Sequence, residues 1–156
     1  MEALNESIRL NEVAEITLAY RPKVRPSQRP KVTCSRQVYE VFYRFWNQDS
    51  LEYIEQFQVM LLSRGNRVLG ISTISFGGTD GTFVDAKVVF AAALKANASS
   101  IVLSHNHPSG NLLPSEPDKR MTRRLVEIGK ALDLPVLDHI IVGREGYYSF
   151  ADEGEL

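Results

Sequence analysis

The run SIVLS at residues 100–104 is short and apolar at its centre, and it lies between two stretches of helical periodicity. A strand of that kind is buried on both faces, so its sheet must be covered by helices on both sides. Upstream, Asp85 is placed to cap an Ala-rich helix of about a dozen residues that ends near Asn97. Downstream, a helix is expected over roughly residues 116–132, with Met121, Leu125, Ile128 and Leu132 on one stripe and Pro135 beyond its end.

The remaining periodic segments supply the rest of a sheet. Residues 57–62 (FQVMLL) and 68–74 (VLGISTI), joined through the turn-like stretch from Arg64 to Arg67, predict an antiparallel hairpin. A loop containing Gly77, Gly78 and Gly81 follows. Residues 136–142 (VLDHIIV) and 147–150 (YYSF), linked by a Gly-containing turn, predict two more strands. Ser35 reads as the N-cap of a helix over roughly residues 36–47, with Val38, Val41, Phe42 and Phe45 on one apolar face. The expected fold class is α/β, a three-layer-like sandwich of a mixed β-sheet flanked by helices.

A chain of 156 residues is long enough for one such core. Residues 35–156 are expected to form the domain and residues 1–34 an extended leader, whose segment from Ile16 to Tyr20 is expected to add an edge strand. With 44% hydrophobic and 24% charged residues, the composition excludes disordered and fibrous classes. No membrane-length apolar run is present, and the acidic N-terminus lacks the basic-then-apolar order of a signal peptide, so a cytoplasmic location and no membrane partner are expected. The single cysteine, Cys34, allows neither an intramolecular disulfide nor a thiolate cluster, and without a histidine beside it in sequence it reads as inert.

A net charge of −1 provides no global attraction for nucleic acid. Locally, Arg21, Lys23, Arg25, Arg29 and Lys31 lie among Pro22, Pro26 and Pro30 with no acidic residue between them. Such an arm is either a solvated, proline-stiffened connector or a contact for phosphate. Oligomeric state is not legible.

The chemistry concentrates in the segment SHNHPSGNLLPSEPD at residues 104–118. His105 and His107 stand at i and i+2 at the end of the expected strand, a spacing that turns both imidazoles to one side. Pro108 ends the strand and the Ser109-Gly110 pair turns the chain back. Asp118 falls in the first turn of the next helix, where side chains lean back toward the helix start. Two imidazoles and a carboxylate suit zinc and leave one tetrahedral position for water. The same residues have a plainer explanation: Ser115, Pro117 and Asp118 also fit a helix capping box. Asp138 and His139 are adjacent on a late strand, so at most one can face the site, and a purely structural hydrogen-bonding role accounts for either.

The spacing His105-x-His107, seven residues, Ser115, two residues, Asp118 resembles the JAMM (MPN-plus) metalloprotease motif position for position. Within that superfamily the segments HNHPSG, PSxxD and LDHIIV are similar to the bacterial RadC-like group, and the likeness covers roughly residues 33–152. The resemblance implies a JAB/MPN, cytidine-deaminase-like fold, a Zn2+ cofactor held by His105, His107 and Asp118, and Ser115 acting on the oxyanion. It further implies an upstream glutamate as general acid/base, for which Glu55 is the best match and Glu52 the fallback. The activity implied is hydrolysis of a peptide or isopeptide bond in an unidentified peptide or protein substrate.

Two other functions compete with this one. A zinc deaminase shares the sandwich fold but needs His-x-Glu with a distant Pro-Cys-x-x-Cys, and this sequence has neither. A DNA-associated or interaction module is the other, since RadC-like proteins carry a historical DNA-repair label. Longer members of that group have an N-terminal helix-hairpin-helix region, which the proline-rich leader does not resemble.

Overall fold

The computed structural model describes residues 14–17, 19–77 and 83–156. Its sheet has five strands in the order β2-β1-β3-β4-β5. The hairpin of β1 (Gln56–Leu62) and β2 (Val68–Phe76) forms as expected, with Asn66 in the left-handed region at its turn (φ 57°). Next, β3 (Ser100–Asn106) pairs antiparallel with β1 and parallel with β4 (Val136–Val142), and β5 (Tyr147–Ser149) closes the far edge antiparallel to β4.

Strand alternation sorts the core into two layers. Phe57, Val59, Leu61, Ile101 and Leu103 face α2 (Ala86–Lys95) and α3 (Glu116–Ala131), packing with Val89, Phe90, Ala93 and Leu125. Met60, Leu62, Val102, Ile140 and Val142 face α1 (Ser35–Phe45), packing with Val38, Phe42 and Trp46. Central strands β1 and β3 are buried at every position, as a sheet covered on both sides requires. The mixed sheet flanked by three helices is the α/β sandwich expected from the sequence.

Several local expectations change. Residue 35 is the first residue of α1 rather than its cap: Cys34 takes the cap position without a side-chain bond, and Gln37 instead accepts from the Thr33 amide at 2.8 Å. The buried line of α1 runs through Val38, Phe42 and Trp46, leaving Phe45 53% exposed, because the helix stops there and Trp46 folds under it. Similarly Leu132 lies past the last turn of α3 and is 42% exposed, while Thr122 is fully buried. The described residues of the segment from Ile16 to Tyr20 form no strand. Instead Lys31 makes a single bridge to Arg67, and Tyr20 Oη donates to the Leu69 carbonyl at 2.7 Å. Gly78 and Gly81 lie outside the described residues.

Asp85 caps α2, accepting from the Lys87 amide at 2.9 Å. Both α2 and α3 end with a residue in the left-handed region, Asn97 (φ 52°) and Asp133 (φ 53°), whose following amides return to Ala93 and Gly129 carbonyls. At Gly129 the chain comes so close that a Cβ would lie 2.5 Å from the Leu134 carbonyl oxygen, which explains the glycine. Among the described residues no helix is long and apolar enough to cross a membrane.

Candidate metal centre

His105 is fully buried at the end of β3, on the face shared with Phe57 and Leu103. The strand ends one residue later, and His107 follows at the start of a turn in which the Gly110 amide returns to the His107 carbonyl at 2.9 Å. Pro108 suits the second position of this turn, and Gly110 takes a φ of 76° that favours glycine. Asp118 is the third residue of α3, where the helix N-terminus favours a carboxylate.

These three side chains converge. His105 Nε2 is 2.9 Å from His107 Nε2 and 3.4 Å from Asp118 Oδ1, and His107 Nε2 is 3.3 Å from Asp118 Oδ2. Three ligands held tetrahedrally at about 2.0–2.1 Å from one ion stand roughly 3.3 Å apart. The group therefore could hold a metal ion, its donor atoms all lying within 4.8 Å of one another. His107 Nδ1 lies 2.7 Å from the Asn111 carbonyl, which can only accept, so Nδ1 carries a proton and Nε2 is the nitrogen turned to the centre.

Electrostatics fit a cationic occupant. Burial works against ionisation of Asp118, yet the His105 and His107 imidazoles beside it outweigh that effect and hold the carboxyl well below the usual range. The Asp118 hydrogen bond raises the His107 pKa against the opposing effect of burial, with smaller contributions from the Asn111 carbonyl and from the charges of Asp118 and Glu55.

The Ser115 to Asp118 segment forms the expected capping box and still keeps Asp118 beside both imidazoles. Ser115 Oγ accepts from the Asp118 amide at 3.2 Å, while Asp118 Oδ2 accepts from the Ser115 amide at 2.7 Å and from Ser115 Oγ at 2.6 Å. One carboxylate oxygen thus closes the capping box, and the carboxyl group as a whole still borders both imidazoles.

The candidate glutamates sit in the stretch before β1. Glu55 immediately precedes β1, whose ladder with β3 ends at the pair Phe57 and His105, and its charge acts on the His107 ring. Glu52 is exposed and engages Arg144 at 3.3 Å on the rim of a cleft of about 230 Å3 that also touches His107, Leu51, Leu112 and Val142. Asn106, between the two histidines, was not singled out in sequence. Fully buried, its side chain accepts from the Gln56 amide at 2.8 Å and donates to the Leu51 and Ile54 carbonyls at 2.6 and 3.0 Å, anchoring the stretch that carries Glu52 and Glu55 to the end of β3.

Of the adjacent pair on β4, only His139 faces the centre. Asp138 points to the α1 side, accepting from the His139 and Ala151 amides and from Ser149 Oγ, and burial raises its pKa. His139 is fully buried, with Nε2 2.8 Å from His105 Nδ1 and Nδ1 2.7 Å from Thr122 Oγ1. Burial, reinforced by His105, pushes its pKa well below the ordinary histidine value. Thr122 had no signal beyond an interior position on α3.

Residues 32–155 match the family model of the RadC-like JAB domain. The chain belongs to that family. The RadC-like domain is 44% identical over 100 residues to a UPF0758 protein of Flavobacterium johnsoniae, an overlap of 64% of this chain and 44% of that protein. A UPF0758 protein of Symbiobacterium thermophilum is 43% identical over 103 residues, covering 66% of this chain and 44% of its own length. One from Thermotoga maritima is 41% identical over 99 residues, with 64% and 45% covered. The chain thus spans less than half the length of these curated relatives.

Proposed function

We propose that the RadC-like domain is a zinc-dependent hydrolase of peptide or isopeptide bonds, with His105, His107 and Asp118 as the metal ligands. The convergence of two imidazoles and a carboxylate at spacings suited to one ion, with the charge of Glu55 acting on His107, supports this reading. When bound, zinc would supply Lewis-acid activation of water and of the substrate carbonyl.

The chain's own residues have separate tasks in this reading. Glu55, through a carboxylate oxygen, takes the proton of the attacking water and later hands it to the leaving amine. Ser115 Oγ donates toward the charge developing on the carbonyl oxygen, which requires it to leave its 2.6 Å bond to Asp118 Oδ2. The cleft walled by Leu51, Leu112 and Val142 receives an apolar part of the substrate beside His107. Profiling a peptide library with zinc-loaded protein is expected to reveal cleavage that stops on chelation and resumes on adding zinc. Cleavage indifferent to chelation would overturn the proposal.

A second reading draws on the leader. Arg21, Lys23 and Arg29 line a groove of about 720 Å3 with Arg44 of α1, and exposed Tyr20 and Phe45 border it. Cations interleaved with aromatics suit single-stranded nucleic acid, whose phosphates pair with the charges while bases stack. Binding of a labelled oligonucleotide at low salt is expected to weaken steeply as salt rises, and to lose most of its salt dependence when Arg21, Lys23, Arg25, Arg29 and Lys31 are all changed to Gln. Absence of binding at low salt sinks this reading.

A further inference from the structure

We propose that Thr122 is a positioning residue for the metal centre, setting the ring tautomers of His139 and His105 so that His105 turns a bare Nε2 toward Asp118 and His107. This rests on the reading that the three-residue cluster binds metal, and extends it inward by two residues.

The argument follows one hydroxyl proton. Thr122 Oγ1 is 2.7 Å from the Asp118 main-chain carbonyl, which can only accept, so the single hydroxyl proton lies on that bond. Were it turned elsewhere, two oxygens would face each other at 2.7 Å with no proton between them. Thr122 Oγ1 is also 2.7 Å from His139 Nδ1 and has only a lone pair left to offer, so His139 Nδ1 donates. A neutral, fully buried His139 then has no proton on Nε2, which accepts from His105 Nδ1 at 2.8 Å. With Nδ1 as the donor, His105 keeps Nε2 as the nitrogen able to offer a lone pair to a cation, 2.9 Å from His107 Nε2.

His107 reaches the same state by a different route, its Nδ1 proton lying on the Asn111 carbonyl. Two imidazole lone pairs facing each other across 2.9 Å repel unless a proton or a metal cation lies between them, so the pair is poised to take up either. Free imidazole has no such fixed tautomer, so each ring is committed by the bond on its far nitrogen. His139 is held for this purpose by ring packing as well, stacked on Phe150 at 4.7 Å and 11°. Thr122 has the further property of reading the position of α3: it bonds the carbonyl of Asp118 itself, so one residue ties the third ligand's backbone to the ring of the first.

Thr122→Val and Thr122→Ser separate this role from packing. Valine keeps the shape and removes the hydroxyl; serine keeps the hydroxyl and removes the methyl. The proposal expects Thr122→Val to weaken zinc affinity, measured by competition with a chelator, by about ten- to a hundredfold, and Thr122→Ser to stay close to wild type. In nitrogen-15 spectra of the protein stripped of metal, His105 and His139 should both show a protonated Nδ1 in wild type and Thr122→Ser, and lose that uniform state in Thr122→Val. A residue needed only for packing predicts the reverse order, with serine the more damaging. Either that order, or an unchanged tautomer and affinity in Thr122→Val, overturns the proposal. Because the spectra are taken without metal, a wild-type protein that takes up no zinc would remove the hydrolase reading while leaving the tautomer result to stand or fall by itself.

Discussion

Changing His105 and His107 together to alanine is expected to reduce zinc content from about one ion per chain to a trace. The geometry explains why the loss should be nearly complete. Only Asp118 would remain of the three groups whose donor atoms lie within 4.8 Å of one another, and Cys34 is exposed beside the α1 N-terminus, at the other side of the sheet. A lone carboxylate does not hold zinc at the affinity of a three-ligand site. Elemental analysis of purified protein reads the effect directly. Thermal unfolding gives an independent check: a ligand that binds only the folded state stabilises it by about 2.7 kcal/mol at a hundredfold excess over its dissociation constant. Chelation should lower the melting temperature of the wild type and leave that of the double variant unmoved. Since His105 is fully buried, the variant's folding must be verified by its circular dichroism spectrum. Equimolar zinc in a folded double variant would remove the assignment of these residues as ligands.

Glu55→Gln is expected to lower kcat/KM by about 10²–10⁴-fold on whichever peptide the library selects, with zinc content unchanged. Glutamine has nearly the same shape and can still hydrogen-bond, but it cannot take up a proton near neutral pH. The unchanged metal content is part of the prediction, because the convergent ligand set consists of His105, His107 and Asp118. Glu52→Gln serves as the comparison. Glu52 is drawn to Arg144 on the exposed rim, so its loss should change the rate by far less. A large rate loss in Glu52→Gln with Glu55→Gln close to wild type would exchange the two assignments, and full activity in both would exclude glutamate as the proton carrier.

Sequence legibility varied with the range of the interaction involved. The strands and α2 were readable because alternation and capping are local: Asp85 caps the helix that its position announced, and β3 is buried throughout as its apolar run implied. Helix faces were less readable near their ends. Phe45 and Leu132 continue the right spacing but fall where α1 and α3 stop, so their side chains have nothing to pack against and stay exposed. The segment from Ile16 to Tyr20 alternates weakly, yet β2 is met instead by the Pro30 carbonyl and the Tyr20 hydroxyl, and the turn before it by Lys31 and Val32, all through single bonds, because Pro22, Pro26 and Pro30 lack the amide N–H groups a continuous ladder needs.

At the centre the histidine pair and Asp118 were visible as a pattern, and so was the rule that only one of Asp138 and His139 could face it. Which of them does so was not. The register between β3 and β4 contains an irregularity at Ile101 and Val102, and parity along β4 relative to the site depends on it.

The order of strands and helices, the strand-tip histidines and the capping box that carries Asp118 followed from the sequence by itself, since each depends on residues within a few positions of one another. Only the tertiary structure decided that His139 and Thr122 stand behind His105, that Asn106 anchors the stretch carrying Glu55, and that Glu52 turns to Arg144. Those contacts join residues 17 to 92 positions apart. Their partners are set by how strands register and how helices lie across the sheet, and no local periodicity records either.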